Sequence, residues 1–152
     1  MPESQATRFL KRAESYLKQT KYKEALAHAD QAILLEPKNT AAYTLRAAIK
    51  IDMGEYKAGI VDCDRALAVN PNWAEALAKK ALALYSLEQY APALAAATRA
   101  VSLNANDAEA WYLRGICLEE TGKSEEAEVA YAKSLELEII LDIKEESRHV
   151  RK

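Results

Sequence analysis

Two histidines, two cysteines and four glycines limit the chemistry open to this chain of 152 residues. His28 and His149 stand far apart, without metal-ligand spacing, so no metal site is expected. A thiol nucleophile would need Cys63 or Cys117 beside His28, and nothing in their placement recommends that pairing. The glycines at 54, 59, 115 and 122 are isolated, which leaves no glycine-rich loop to cradle a phosphate. Glutamate clusters such as EETGKSEEAE read as a solvated helix face with a favourable helix start. The residues therefore point away from an enzyme and toward a chain that needs no cofactor. Arg12, Arg46, Lys80 and Arg114 recur every 34 residues and could form a basic ladder for phosphates. Binding of that kind requires many phosphate contacts, which a net charge of -2 does not suggest. Salt bridges with Asp30, Asp62 and Asp64 are the better account of the ladder, and no nucleic-acid partner is expected.

The same beat of 34 runs through the rest of the chain. Pro37 and Pro71 each open a polar turn; Phe9, Tyr43, Leu77 and Trp111 form one column. Small residues form two more, at Ala13, Ala47, Ala81 and Gly115, and at Ala32, Ala66 and Ala100. A fixed period of this length signals a solenoid, because one unit cannot bury its apolar face alone. Four units are expected, at about 6–39, 40–73, 74–107 and 108–141, within a single domain spanning 1–152. Each holds two apolar stretches of helical period; in the second, Tyr43, Ala47 and Ile51 belong to one helix and Ile60, Cys63, Ala66 and Leu67 to the next. Gly54 and Gly122 are placed to end first helices in a left-handed conformation, and Pro37 and Pro71 to stop second helices. Half of the residues are apolar, so the chain can bury a continuous all-α core. Cys63 and Cys117 sit in apolar helical contexts and read as buried thiols in a reducing, cytoplasmic compartment. No apolar run approaches membrane-spanning length, and the N-terminus has no stretch suited to a signal peptide.

The fourth unit departs from the others at its end. Ile139 and Ile140 stand where proline would stop the helix, so one long helix is expected from about Ser124 to Ser147. It carries Leu135, Ile139 and Ile143 at spacings of four. A solenoid's last repeat has an uncovered apolar face. The extension, with residues 142–152, is expected either to fold as the cap or to dock on a second copy of the chain as a homodimer.

These units closely resemble the tetratricopeptide repeat over residues 6–141. The family's small and aromatic positions are met by Tyr16, Ala25 and Ala32, and again by Trp111, Gly115, Gly122, Ala127 and Tyr131. Lys50 stands where tyrosine is usual, Gly59 where alanine is usual, and Ala105 and Ile139 replace proline. The resemblance implies an all-α, right-handed superhelix of four helix-turn-helix repeats whose first helices line a concave, partner-binding groove. The stretch DCDRALAVNPNWAEALAKKALALYSLEQY is also similar to the second and third repeats of heat-shock chaperone cofactors, which clamp an acidic Glu-Glu-Val-Asp tail. Mapped onto this chain, the clamp falls on Leu10, Glu14, Leu45, Glu75 and Lys79. Only Lys79 keeps a useful charge. Losing one partner of a buried charge contact costs about 2–5 kcal/mol, against about 8 kcal/mol for micromolar binding. A chaperone cofactor with an altered clamp is thus the weaker alternative.

With that register, the inward-facing positions include Leu10, Leu17, Thr44, Leu45, Ala48, Ile51, Ala78, Lys79, Leu82, Tyr85, Tyr112, Leu113 and Ile116. Lys11, Lys18 and Lys80 lie near the first and third repeats, and Glu109, Glu119 and Glu120 near the fourth. Such a surface is expected to bind another protein through an extended or helical segment with apolar anchors. The runner-up is a scaffold that self-assembles through Leu135, Ile139 and Ile143.

Overall fold

The computed structural model describes residues 2–152. The described residues form eight helices in four antiparallel pairs. They are α1 (Gln5–Lys18) with α2 (Tyr22–Leu35), α3 (Thr40–Asp52) with α4 (Tyr56–Val69), α5 (Ala74–Ser86) with α6 (Tyr90–Leu103), and α7 (Ala108–Glu120) with α8 (Ser124–Val150). Each helix touches the next along the chain, and α1, α3, α5 and α7 also touch one another in sequence, whereas successive second helices do not. The first helices therefore crowd along an inner wall and the second helices splay along an outer one. That difference curves the stack and hollows its inner face.

Local sequence explains the joints. Thr20, Gly54, Glu88 and Gly122 occupy equivalent positions, and all four have positive φ, between 57° and 82°. At each, the following N–H reaches back five residues into the first helix, as in Lys21 to Tyr16 O at 2.9 Å and Lys123 to Leu118 O at 2.8 Å. These are Schellman closures, which glycine enters freely and Thr20 and Glu88 enter against the preference of an L-residue. Three of the four first helices start on capping side chains: Ser4, Asn39 and Asp107 accept from the N–H of Thr7, Ala42 and Ala110. Aromatic residues then tie the preceding loop, through Tyr43 OH to Pro37 O and Trp111 Nε1 to Ala105 O, both at 2.9 Å.

Packing between and within repeats runs through small side chains. Ala32 and Ala42 share one buried cluster, as do Ala100 and Ala110. Two departures from the usual repeat have a steric reason. A Cβ on Gly59 would lie 2.7 Å from Ile51 Cγ1, so the missing methyl is the space that Ile51 fills. A Cβ on Gly115 would lie 2.6 Å from Tyr131 Cε1. In the third repeat the same two columns hold Ala81 and Ala97, so the last repeat exchanges an alanine pair for a glycine and a tyrosine. Gly115→Ala is expected to lower stability by about 1–3 kcal/mol through overpacking. A helical Gly-to-Ala change ordinarily gains about 1 kcal/mol; thermal denaturation showing that ordinary gain would mean Tyr131 moves aside freely.

The basic ladder meets carboxylates, but unevenly. Arg46 donates from Nε and an Nη to both oxygens of Asp62, at 2.9 and 2.8 Å, and from its other Nη to Asp30 at 3.0 Å. Lys50 lies 2.8 Å from the same Asp62, and Lys80 lies 2.7 Å from Asp64. Lys50 replaces the customary tyrosine because a wholly buried carboxylate faces it. Arg114 stacks over Trp111, 5.6 Å from the ring centre. The column that supplies Asp30 and Asp64 supplies Thr98 to Arg114.

Helix α8 runs unbroken to Val150, three residues past the expected end. Among the described residues it packs on α7 alone, and every residue from Glu138 onward is exposed. The extension thus leaves the solenoid and does not fold back as a ninth helix. Register gives the reason. Lys144 falls in the column of Ala42, Ala76 and Ala110, and His149 in that of Ala47, Ala81 and Gly115. Those columns require small residues that the extension lacks.

Candidate peptide-binding groove

The hollow face is built from α1, α3, α5 and α7. Leu10, Leu17, Leu45, Leu82, Tyr85 and Ile116 are partly exposed there, and Tyr112 is 51% exposed. Leu82 and Ile116 rest on a buried cluster of Ala81, Ala96, Ala97 and Leu113, so the core fixes their outward edges. Four of the residues expected to face the groove lie in the core instead. Ile51 is 5% exposed and Leu113 only 2%. Ile51 drops into the space left by Gly59, and Leu113 packs between α5, α6 and α7. Thr44 and Ala78 are buried as well, because the following first helix covers their column. Tyr112, next in that column, has no following repeat.

Charge in the hollow is unequal. Lys79 reaches Glu109 at 3.5 Å, so the one clamp position with a useful charge already faces a carboxylate. Burial holds the Glu75 carboxyl above the ordinary range; Lys79 opposes this, and Glu14, Asp107 and Glu109 add to it. The charge of Glu14 on α1 thus reaches Glu75 on α5, although the two helices do not touch. At the far end, Tyr131 OH donates to Glu119 Oε2 at 2.6 Å and its ring lies 5.7 Å from that of Tyr112. Burial raises the Tyr131 pKa, and the bond to Glu119 raises it further. The sequence marks Tyr131 as a repeat position but not as a neighbour of the groove; a large residue on α8 opposite Gly115 was the available signal.

Elsewhere, burial pushes the Cys63 thiol up to about 12 and the Cys117 thiol up to about 11, so neither is a ready thiolate. Among the described residues, no three metal-ligating side chains converge, and no helix is long and apolar enough to cross a membrane.

The end of the stack presents a second surface. Leu135, Ile139 and Ile143 are 57%, 50% and 58% exposed on α8. Val101, which shares Leu135's column, is only 6% exposed, since α7 covers it. On the other side of α8, Leu137, Ile140, Leu141 and Lys144 form a cleft of about 550 Å3 with Asn106–Glu109.

The profile of the tetratricopeptide repeat matches residues 10–72 and again 78–138. The chain belongs to the tetratricopeptide repeat (TPR) family. No curated protein matches it. Solved TPR structures share the fold at low identity. A thermophilic TPR protein of Thermus thermophilus, TTC0263, superposes with a TM-score of 0.79 at 18% identity, over 88% of this chain and 74% of the other. MamA superposes with a TM-score of 0.75 at 23% identity, over 91% and 81%. The first TPR domain of Spaghetti (RPAP3), solved with the HSP90 peptide SRMEEVD, gives a TM-score of 0.66 at 24% identity, over 84% and 93%. These likenesses establish the TPR solenoid, an interaction fold, and leave the ligand to the residues of the groove.

Proposed function

We propose that this TPR chain is a non-catalytic adaptor whose groove holds an extended or helical segment of another protein by apolar anchors. The observation that carries this reading is the partly exposed row of Leu10, Leu17, Leu45, Leu82, Tyr85, Tyr112 and Ile116 on one hollow face. Covering one such side chain contributes at most about 1.5–3 kcal/mol. Three or four anchors then support micromolar binding once the cost of association is subtracted. The test is capture of a partner by the natural chain and its loss on groove substitution. The two buried, unpaired thiols fit a reducing, cytoplasmic setting. A chaperone cofactor with an altered clamp has less support, since Glu14 and Glu75 would repel an acidic tail.

The exposed stripe on α8 favours a second role, self-assembly through Leu135, Ile139 and Ile143. A helical extension without tertiary contacts gains little from propensity alone, and a facing apolar helix would stabilise it. Light scattering is expected to show a mass that rises with concentration and returns to one chain in Ile139→Glu/Ile143→Glu. A single-chain mass at every concentration would remove this role.

A further inference from the structure

The charged residues of the groove divide it into unlike halves. Over the first two repeats, Lys18 and Lys11, which also pairs with Glu3, stand against Glu14 and Asp52. Over the last two, Glu75, Glu109, Glu119 and Glu120 face only Lys79, which already reaches Glu109. Tyrosine rings stand among these carboxylates. Tyr85 lies 5.4 Å from Tyr90, Tyr112 lies 5.7 Å from Tyr131, and Tyr131 donates to Glu119. The charges of Glu119 and Glu120 both act on Tyr85, so the rings and carboxylates share one neighbourhood.

Aromatic faces beside carboxylates attract a cationic side chain in two ways. The ring quadrupole draws the cation, and the carboxylates of Glu119 and Glu120 supply countercharge. From this we infer that the segment held by the groove is basic. Its lysine or arginine side chains sit over the third and fourth repeats, against Tyr85, Tyr112, Glu119 and Glu120, and its apolar anchors point toward Leu10, Leu17 and Leu45. The inference rests on the groove reading above and adds the chemical class and direction of the partner. It reverses the chaperone clamp, in which basic side chains hold an acidic tail.

Three fluorescein-labelled peptides of about 14 residues test this, with leucines at three- and four-residue spacing and either arginine, glutamine or glutamate between them. Anisotropy titration is expected to give affinity in the order arginine, glutamine, glutamate, about tenfold apart at low salt. Glu119→Gln/Glu120→Gln should bring the arginine-over-glutamine preference close to parity while circular dichroism shows an unchanged fold. Equal affinity for the arginine and glutamine peptides would leave the groove reading standing and overturn the basic partner. If no peptide binds at millimolar concentration, the groove reading fails and takes the inference with it. Self-association abolished by Leu82→Glu, with no peptide bound, would place a second copy in the groove and also overturn it.

Discussion

Asp62→Ala is expected to lower the stability of the chain by about 3 kcal/mol, the lower end of the range for removing one partner of a buried ion pair. Asp62 is wholly buried and receives Arg46 and Lys50, whose side chains are 14% and 22% exposed. Without the carboxylate, Lys50 loses its partner and Arg46 keeps only Asp30. Their partial exposure lets water relieve some of the penalty, which is why the lower figure applies. A loss of this size moves the midpoint of thermal unfolding by about 6–12 °C for a chain of this length. Burial alone would raise the Asp62 pKa, but the hydrogen bonds and charges of Arg46 and Lys50 outweigh it and the net shift is downward. The stabilisation is therefore complete above the unfolded value of about 3.9. It is lost as pH falls through the depressed folded value. Urea titrations of natural chain and Asp62→Ala should differ fully at pH 7 and converge as pH drops below about 4. An equal gap at pH 2 would mean that Asp62 acts through packing and not through charge.

The second large effect falls on binding. Leu82→Glu places a carboxylate at the centre of the groove, on the edge of the Ala81–Leu113 cluster. Loss of one apolar anchor, about 1.5–3 kcal/mol, is expected to weaken partner binding about ten- to a hundredfold. Helical content should stay unchanged, because the outward edge of Leu82 is open to solvent. Tyr112→Ala guards against misreading. Tyr112 is half exposed and covered by no later repeat, so its removal costs the core little and the groove an aromatic anchor. If Leu82→Glu unfolds the chain while Tyr112→Ala binds normally, the anchors lie elsewhere.

Much of this architecture is readable in the sequence because a solenoid writes each packing contact several times over. The columns of Ala13, Ala47 and Ala81 set helix spacing, and the left-handed turns at Gly54 and Gly122 are visible from glycine alone. The equivalent turns at Thr20 and Glu88 show that the repeat geometry overrides residue preference there. The groove is less legible. Register gives the direction of a helical position, not the depth to which its side chain sinks. Ile51 sinks because Gly59 makes room on the facing helix, and Leu113 because α5 and α6 close around it. Asp62 is visible only as one acid among several near the basic ladder. Its part as a hub depends on Arg46 and Lys50, which lie 16 and 12 positions away on the neighbouring helix. The uncovered end at Tyr112 and Leu135 follows from the count of repeats, and the failure of residues 142–152 to cover it follows from Lys144 and His149 in columns that need small residues.

Partner capture distinguishes the hollow face from the outer one. Partner capture by the natural chain is compared with capture by Leu82→Glu, by Tyr112→Ala and by Val61→Glu, a substitution on α4 at an exposed position of the outer wall. Proteins retained by the natural chain should be retained by Val61→Glu and released by both groove variants. Retention by the folded groove variants, or release by Val61→Glu alone, would contradict the groove reading and move the working surface to the outer helices.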